Sequence, residues 1–191
     1  LGLNEKPRSE NNKLIPLSAW GLEAMSIGFL VDEDAPTIWR GPMVMSAVQQ
    51  MLRDVAWGDL DILVIDMPPG TGDAQLTLSQ RADLAGAVIV STPQDLALID
   101  ARKGLNMFRR VNVPVLGIVE NMSYFVCPSC GEISDIFGTG GAKAEAERLG
   151  LPFLGGIPLD MEIRATSDAG TPIVAENFAS PHAQAYVKIA Q

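Results

Sequence analysis

Four short apolar runs punctuate the chain: Ile62–Asp66, Ala87–Ser91, Pro114–Val119 and Phe153–Ile157. They have the length and β-branched content of strands, and none alternates polar with apolar, so each is expected to be covered on both faces. Between them lie stretches with helical spacing, long enough to serve as crossovers in a parallel sheet. The clearest follows Asp95, an N-cap candidate. It places Leu98, Ala101, Leu105 and Phe108 on one stripe and Arg102, Lys103, Arg109 and Arg110 on other faces or in the last turn. A second helix is predicted to begin at Pro42, with Val44, Val48, Met51 and Val55 along one side. Further helices are predicted from Asp73 to about Arg81, from Gly141 to Leu149, and from Pro181 to the end. Leu14–Leu17 and Ala24–Phe29 are weaker strand candidates, and Asn4–Lys13 reads as a polar connection. The alternation predicts an α/β fold, doubly wound, around a mostly parallel sheet.

Composition narrows the partners. With 191 residues, 47% of them hydrophobic and 19% charged, the chain can bury a core, and its length suits one domain over residues 1–191. A formal net charge of −9 opposes binding to a polyphosphate backbone, so nucleic acid is not an expected partner. No apolar run approaches the roughly 18 residues that would span a bilayer, so a membrane is not expected either. Two cysteines, three positions apart, suit a metal or redox site in a reducing compartment better than a disulfide framework. The cytoplasm or an equivalent compartment is the expected location.

The run Ile62–Asp66 would deliver one carboxylate, Asp66, to the carboxyl end of a buried strand, where open α/β sheets hold their ligands. Mg²⁺ needs such an anchor, because it keeps most of its water and takes only one or two carboxylates beside phosphate oxygens. The following loop is stiffened by Pro68 and Pro69 and freed at Gly70 and Gly72, whose amides could approach a terminal phosphate. Asp73 could equally be an ordinary helix cap. Asn121 falls just past another strand and carries an amide able to donate to and accept from an adenine edge.

Cys127-Pro128-Ser129-Cys130 is the second constellation. Soft thiolates at this spacing can ligate one metal centre side by side, but a tetrahedral zinc or a four-iron cluster wants four ligands. The same pair from a second copy across a two-fold axis is the simplest source. Half a zinc ribbon and a thioredoxin-like redox pair are the alternatives; the latter normally sits where a strand feeds a helix, whereas an irregular loop, Glu132–Gly138, is expected here. Gly138-Thr139-Gly140-Gly141-Ala142-Lys143 looks like a phosphate loop, yet it lacks the G-K-[ST] ending and reads as a helix start. His182, the single histidine, has no acidic or cysteine neighbour in sequence and reads as a surface residue.

Val64-Ile65-Asp66-Met67-Pro68-Pro69-Gly70-Thr71-Gly72-Asp73 resembles the switch II signature of the Mrp/ApbC family of iron–sulfur cluster carrier ATPases. That family is a branch of the deviant-Walker P-loop proteins, which also include MinD and the nitrogenase iron protein. Trp39-Arg40-Gly41-Pro42, Ser91-Thr92-Pro93-Gln94-Asp95, Gly117-Ile118-Val119-Glu120-Asn121-Met122, Cys127–Cys130 and Gly156-Ile157-Pro158-Leu159-Asp160 resemble it too, in the same order. The resemblance implies a [4Fe–4S] cluster bridging a homodimer through Cys127 and Cys130, and delivery of that cluster to apo iron–sulfur proteins. It implies ATP and Mg²⁺ as cofactors, with Asp66 and Gly72 at the catalytic centre. Asn121 is then the base-contacting residue, and Ile157, Pro158 and Asp160 form the opposite wall of the base pocket. It also implies an upstream strand, a Walker A loop and a switch I segment that this sequence does not contain. The expectation is therefore of an N-terminally incomplete chain, with poor ATP hydrolysis on its own. A mitochondrial matrix location is the alternative to the cytoplasm. The rival functions are a MinD/ParA-like positioning ATPase and a zinc-stabilised scaffold without catalysis.

Overall fold

A computed structural model describes residues 1–30, 41–67 and 73–191. They divide into two compact units, Leu1–Ala82 and Asp83–Gln191. Pro68, Pro69, Gly70 and Gly72 of the expected switch loop, and Trp39 and Arg40, lie outside the described residues.

In the first unit, short polar stretches broken by left-handed residues close into hairpins rather than long strands. β1 (Ser9–Glu10) pairs antiparallel with β2 (Lys13–Leu14), turning through Asn11 and Asn12 at φ 50° and 61°. β3 (Leu17–Ala19) pairs with β4 (Leu22–Ala24) through Trp20 and Gly21, also at positive φ. The candidate Leu14–Leu17 is therefore split between two hairpins. Most of Ala24–Phe29 is not strand: a 3₁₀ turn at Ile27–Phe29 is capped by the Ser26 hydroxyl. α1 (Gly41–Arg53) and α2 (Asp73–Arg81) pack together, with Val48 and Leu78 buried and the Thr77 hydroxyl 3.2 Å from Met45 Sδ. After α1, the amides of Leu14 and Ala56 and the carbonyls of Asp54 and Leu14 form a parallel bridge that fixes buried Val55.

Ile62–Asp66 is not the buried strand its sequence suggests. It takes no regular structure, and Ile62 and Val64 are 79% and 85% exposed. Strand propensity does not by itself supply ladder partners, and no described residue pairs with this run.

The second unit carries the parallel sheet. β5 (Ala87–Ser91), β6 (Val115–Glu120) and β9 (Phe153–Gly156) lie in the order β5-β6-β9, both pairs parallel. α3 (Asp95–Arg110) connects the first pair. The second connection contains a small hairpin, β7 (Phe125–Val126) with β8 (Ile133–Ser134), and α4 (Gly141–Leu149). Leu98, Ala101 and Leu105 of α3 and Ala142 and Ala146 of α4 bury Ile89 and Ile118 of the sheet, which makes the core. Both helices cover that one face. Val88 and Val90, which point the other way, are 46% and 63% exposed, so the double coverage expected of β5 is not met. α5 (Met161–Asp168), α6 (Ile173–Glu176) and α7 (Pro181–Ala190) complete the chain, with α7 against β9. Asp95 is not the cap of α3. Gln94 holds that position without a side-chain capping bond, and Asp95 stands in the first turn, where its charge complements the helix dipole.

Candidate functional site

The carboxyl ends of β6 and β9 gather the four residues expected around the base, Asn121, Ile157, Pro158 and Asp160. The Asn121 amide N–H donates to the Ser91 carbonyl at 2.7 Å, so the chain leaving β6 is tied to the end of β5. Ile157 N–H donates to the Glu120 carbonyl, Ser123 N–H to the Ile157 carbonyl and Leu159 N–H to the Tyr124 carbonyl, at 2.8, 2.9 and 2.7 Å. These bonds extend parallel pairing beyond the sheet, so the Asn121 turn and the Ile157–Asp160 turn, separate in sequence, lie side by side. Asn121 is half-buried, its Oδ1 accepting from Met122 N at 3.0 Å, while Ile157 and Pro158 are buried. Asp160 is the N-cap of α5; its Oδ1 accepts from Glu162 N at 2.7 Å. Asp66 is exposed and belongs to the first unit.

Cys127 and Cys130 are both free thiols at the tip of the β7–β8 hairpin. Cys127 N–H donates to the Glu132 carbonyl at 2.9 Å and Gly131 N–H to the Cys127 carbonyl at 2.8 Å, which closes a tight turn. Gly131 sits at φ 74°, a conformation that suits glycine. The turn aims backbone N–H groups of Ser129 and then Cys130 at the Cys127 sulfur, with the Cys130 thiol as a further donor. Together these outweigh a small effect of burial and hold the Cys127 thiol below its usual range. Cys130 is exposed, and so are Ile133, Ile136 and Phe137 after it. The hairpin, with β8 inside the expected irregular loop, sets the pair apart from the strand-to-helix setting of a thioredoxin-like site.

Two features had no signal in the sequence. Glu120, the last residue of β6, is 1% exposed; its carboxylate accepts from Ser123 Oγ at 2.5 Å and from Ala142 N at 2.7 Å. The apparent phosphate loop is thus a helix start whose first-turn amide already has a carboxyl oxygen as acceptor. Asp160, Glu162 and His182, from the starts of two helices, converge so that one ligand atom of each lies within 4.8 Å of the others. His182 is therefore not without acidic neighbours: its Nε2 is 3.5 Å from Asp160 Oδ2 and 4.0 Å from Glu162 Oε2.

Parallel strands joined by helical crossovers, with polar turns massed at their carboxyl ends, define an α/β protein of the P-loop NTPase class. A family model described as "ParA: NUBPL iron-transfer P-loop NTPase" matches residues 1–191, and the chain belongs to that family. It is 55% identical over 192 residues to the "Iron-sulfur protein required for NADH dehydrogenase, mitochondrial" of Arabidopsis thaliana, covering 100% of this chain and 61% of that protein. It is 56% identical over 189 residues to the "Iron-sulfur cluster transfer protein NUBPL" of Dictyostelium discoideum, covering 98% and 58%. Among solved structures, a nucleotide-binding protein of Archaeoglobus fulgidus, in complex with ADP and with Co found by PIXE, superposes with TM-score 0.75 at 39% identity. That match covers 94% of this chain and 68% of the other. The chain thus spans about three-fifths of the length of these two curated relatives. None of its described helices is long and apolar enough to cross a membrane.

Proposed function

We propose that this chain is the cluster-holding part of an iron–sulfur cluster carrier ATPase, with residues 1–191 belonging to one P-loop NTPase-like domain. The observation that carries the reading is the exposed hairpin tip, where Cys127 and Cys130 are free and donors converge on the Cys127 sulfur. A thiol shifted toward its thiolate is what a soft metal cluster favours. Two thiolates leave a [4Fe–4S] cargo half-ligated, and the same pair from a second copy completes the set. Exposed Ile133, Ile136 and Phe137 on and beside the hairpin favour burial against such a copy.

Asp66 supplies a single carboxylate, the donor Mg²⁺ prefers beside phosphate oxygens, and Gly72 reads the terminal phosphate of ATP. Asn121 contacts the base, with Ile157, Pro158 and Asp160 as the facing wall; the adjacency of the two turns supports this assignment. Nucleotide binding and hydrolysis shift the homodimer between states that hold the cluster and states that release it to apo iron–sulfur proteins. The working compartment is the cytoplasm or the mitochondrial matrix, where thiols stay reduced.

Anaerobic reconstitution with iron and sulfide tests the reading. The parent protein is expected to take up labile cluster and to dimerise in doing so, and a Cys127→Ala, Cys130→Ala double variant to take up none. Equal uptake by the two proteins would refute cluster carriage. Zinc in place of iron in anaerobically purified protein would instead make the pair a structural zinc site.

A further inference from the structure

The meeting of Asp160, Glu162 and His182 stands apart from the cysteine hairpin, and cluster carriage makes no use of its histidine or of Glu162. We propose that these residues form a binding site for one divalent first-row transition ion, of the Zn²⁺ or Co²⁺ kind, that pins the start of α7 to the start of α5.

Three features support it. The donors are an imidazole nitrogen and two carboxylates, a borderline nitrogen–oxygen set that suits these ions better than Mg²⁺ or Ca²⁺. Two of the three donors are already oriented. Asp160 Oδ1 is committed to the cap of α5, which leaves Oδ2 toward His182. His182 is held by the first turn of α7, where the Ser180 hydroxyl accepts from Ala183 N at 3.0 Å and Ala183 is fully buried. Spacing also fits. Ligands around such an ion sit roughly 3.3 Å apart for metal–ligand bonds of about 2 Å. The observed separations, 3.5 and 4.0 Å from the imidazole and within 4.8 Å across the group, close to that spacing by side-chain rotation.

A divalent ion also suits the local charge. A protonated His182 would balance one carboxylate, yet two face it, and Arg164, the basic residue of α5, is engaged by Asp168 at 2.9 Å. A divalent ion bound to neutral imidazole balances both carboxylates and removes their mutual repulsion.

The test uses protein carrying Cys127→Ser and Cys130→Ser, so that no thiolate competes and the outcome is independent of cluster carriage. Co²⁺ is titrated in by calorimetry and visible absorption. The expected result is a single Co²⁺ per chain, with weak d–d bands and no thiolate charge-transfer band. Affinity is expected to fall by roughly tenfold or more in His182→Ala and in Asp160→Asn. Asparagine still caps α5, so the metal-free melting temperature of Asp160→Asn should stay near that of its parent. Absence of Co²⁺ uptake, uptake unchanged by His182→Ala, or displacement of Co²⁺ by excess Mg²⁺ would each overturn the proposal.

Discussion

The carboxylate of Glu120 and the amide of Ala142, 22 residues apart in the chain, meet at 2.7 Å in a buried contact that locks the start of α4 to the end of β6. The other carboxylate oxygen accepts the Ser123 hydroxyl, so one side chain secures both the helix and the turn leading to the cysteine hairpin. Removing it by Glu120→Ala strands a buried N–H and a part-buried hydroxyl. The expected cost is on the order of 1–3 kcal/mol in urea denaturation. Glu120→Gln keeps an acceptor for Ala142 and should lose less.

Gly141 opens α4 under the carbonyl of Pro93; a Cβ there would lie 2.5 Å from that backbone oxygen and 3.2 Å from Leu98 Cδ1. Backbone cannot easily give way. Gly141→Ala should cost roughly 1–3 kcal/mol, read as a lower denaturation midpoint with an unchanged slope. Glycine at this place serves a close approach of two chain segments, in accord with a helix start rather than a phosphate cradle.

The thiol of Cys127 should alkylate at lower pH than an ordinary cysteine. The backbone donors from Ser129 and Cys130 that lower it survive when the Cys130 side chain is removed, so the Cys130→Ser variant isolates the effect. Iodoacetamide rates against pH should give a midpoint for folded Cys130→Ser below that of the same protein in urea. Coincident midpoints would contradict the turn geometry. The folded value is the lower one, so the associated stability is present above the unfolded thiol range and lost as pH falls through the folded value.

Buried Glu145 is held below the usual carboxylate range, first by its hydrogen bond from Arg148 and then by the charges of Arg102, 3.0 Å away, and Arg148, against the opposing effect of burial. A depressed folded value means stability that is complete above the unfolded carboxylate's range and lost as pH falls through the folded one. Below the usual 4.5 of a glutamate, the parent should therefore lose stability faster than Glu145→Gln. Thermal melts of both proteins between neutral and strongly acidic pH check this; parallel curves would count against it.

Much of the second unit was legible in sequence because local signals and packing agree there. α4 ends where expected since Gly140 and Gly150, both at positive φ, bracket it. β6 begins after Pro114, which has no N–H to give to a ladder, although its carbonyl accepts from Ala87. α5 was not foreseen: it has no buried residue, hence no apolar stripe to read. The β7–β8 hairpin has strands too short for a period. Ile62–Asp66 misled in the other direction, because an apolar β-branched run records readiness to pair and not the presence of a partner. The adjacency of the Asn121 and Ile157–Asp160 turns could be anticipated from strand ends. The approach of Asp160 and Glu162 to His182 could not, because it depends on how α5 and α7 sit after the last strand.

The cysteine hairpin has a ladder of two residue pairs, Phe125 with Ser134 and Val126 with Ile133, and one further bond from Cys127 to Glu132, while its root is stitched to Leu159. A ladder that short opens at far smaller free energy than the core sheet, so the tip should exchange amide hydrogen while β6 remains protected. On the proposed reading, a cluster held at this tip sits on the part of the unit that opens most easily, so its release need not disturb the sheet behind it.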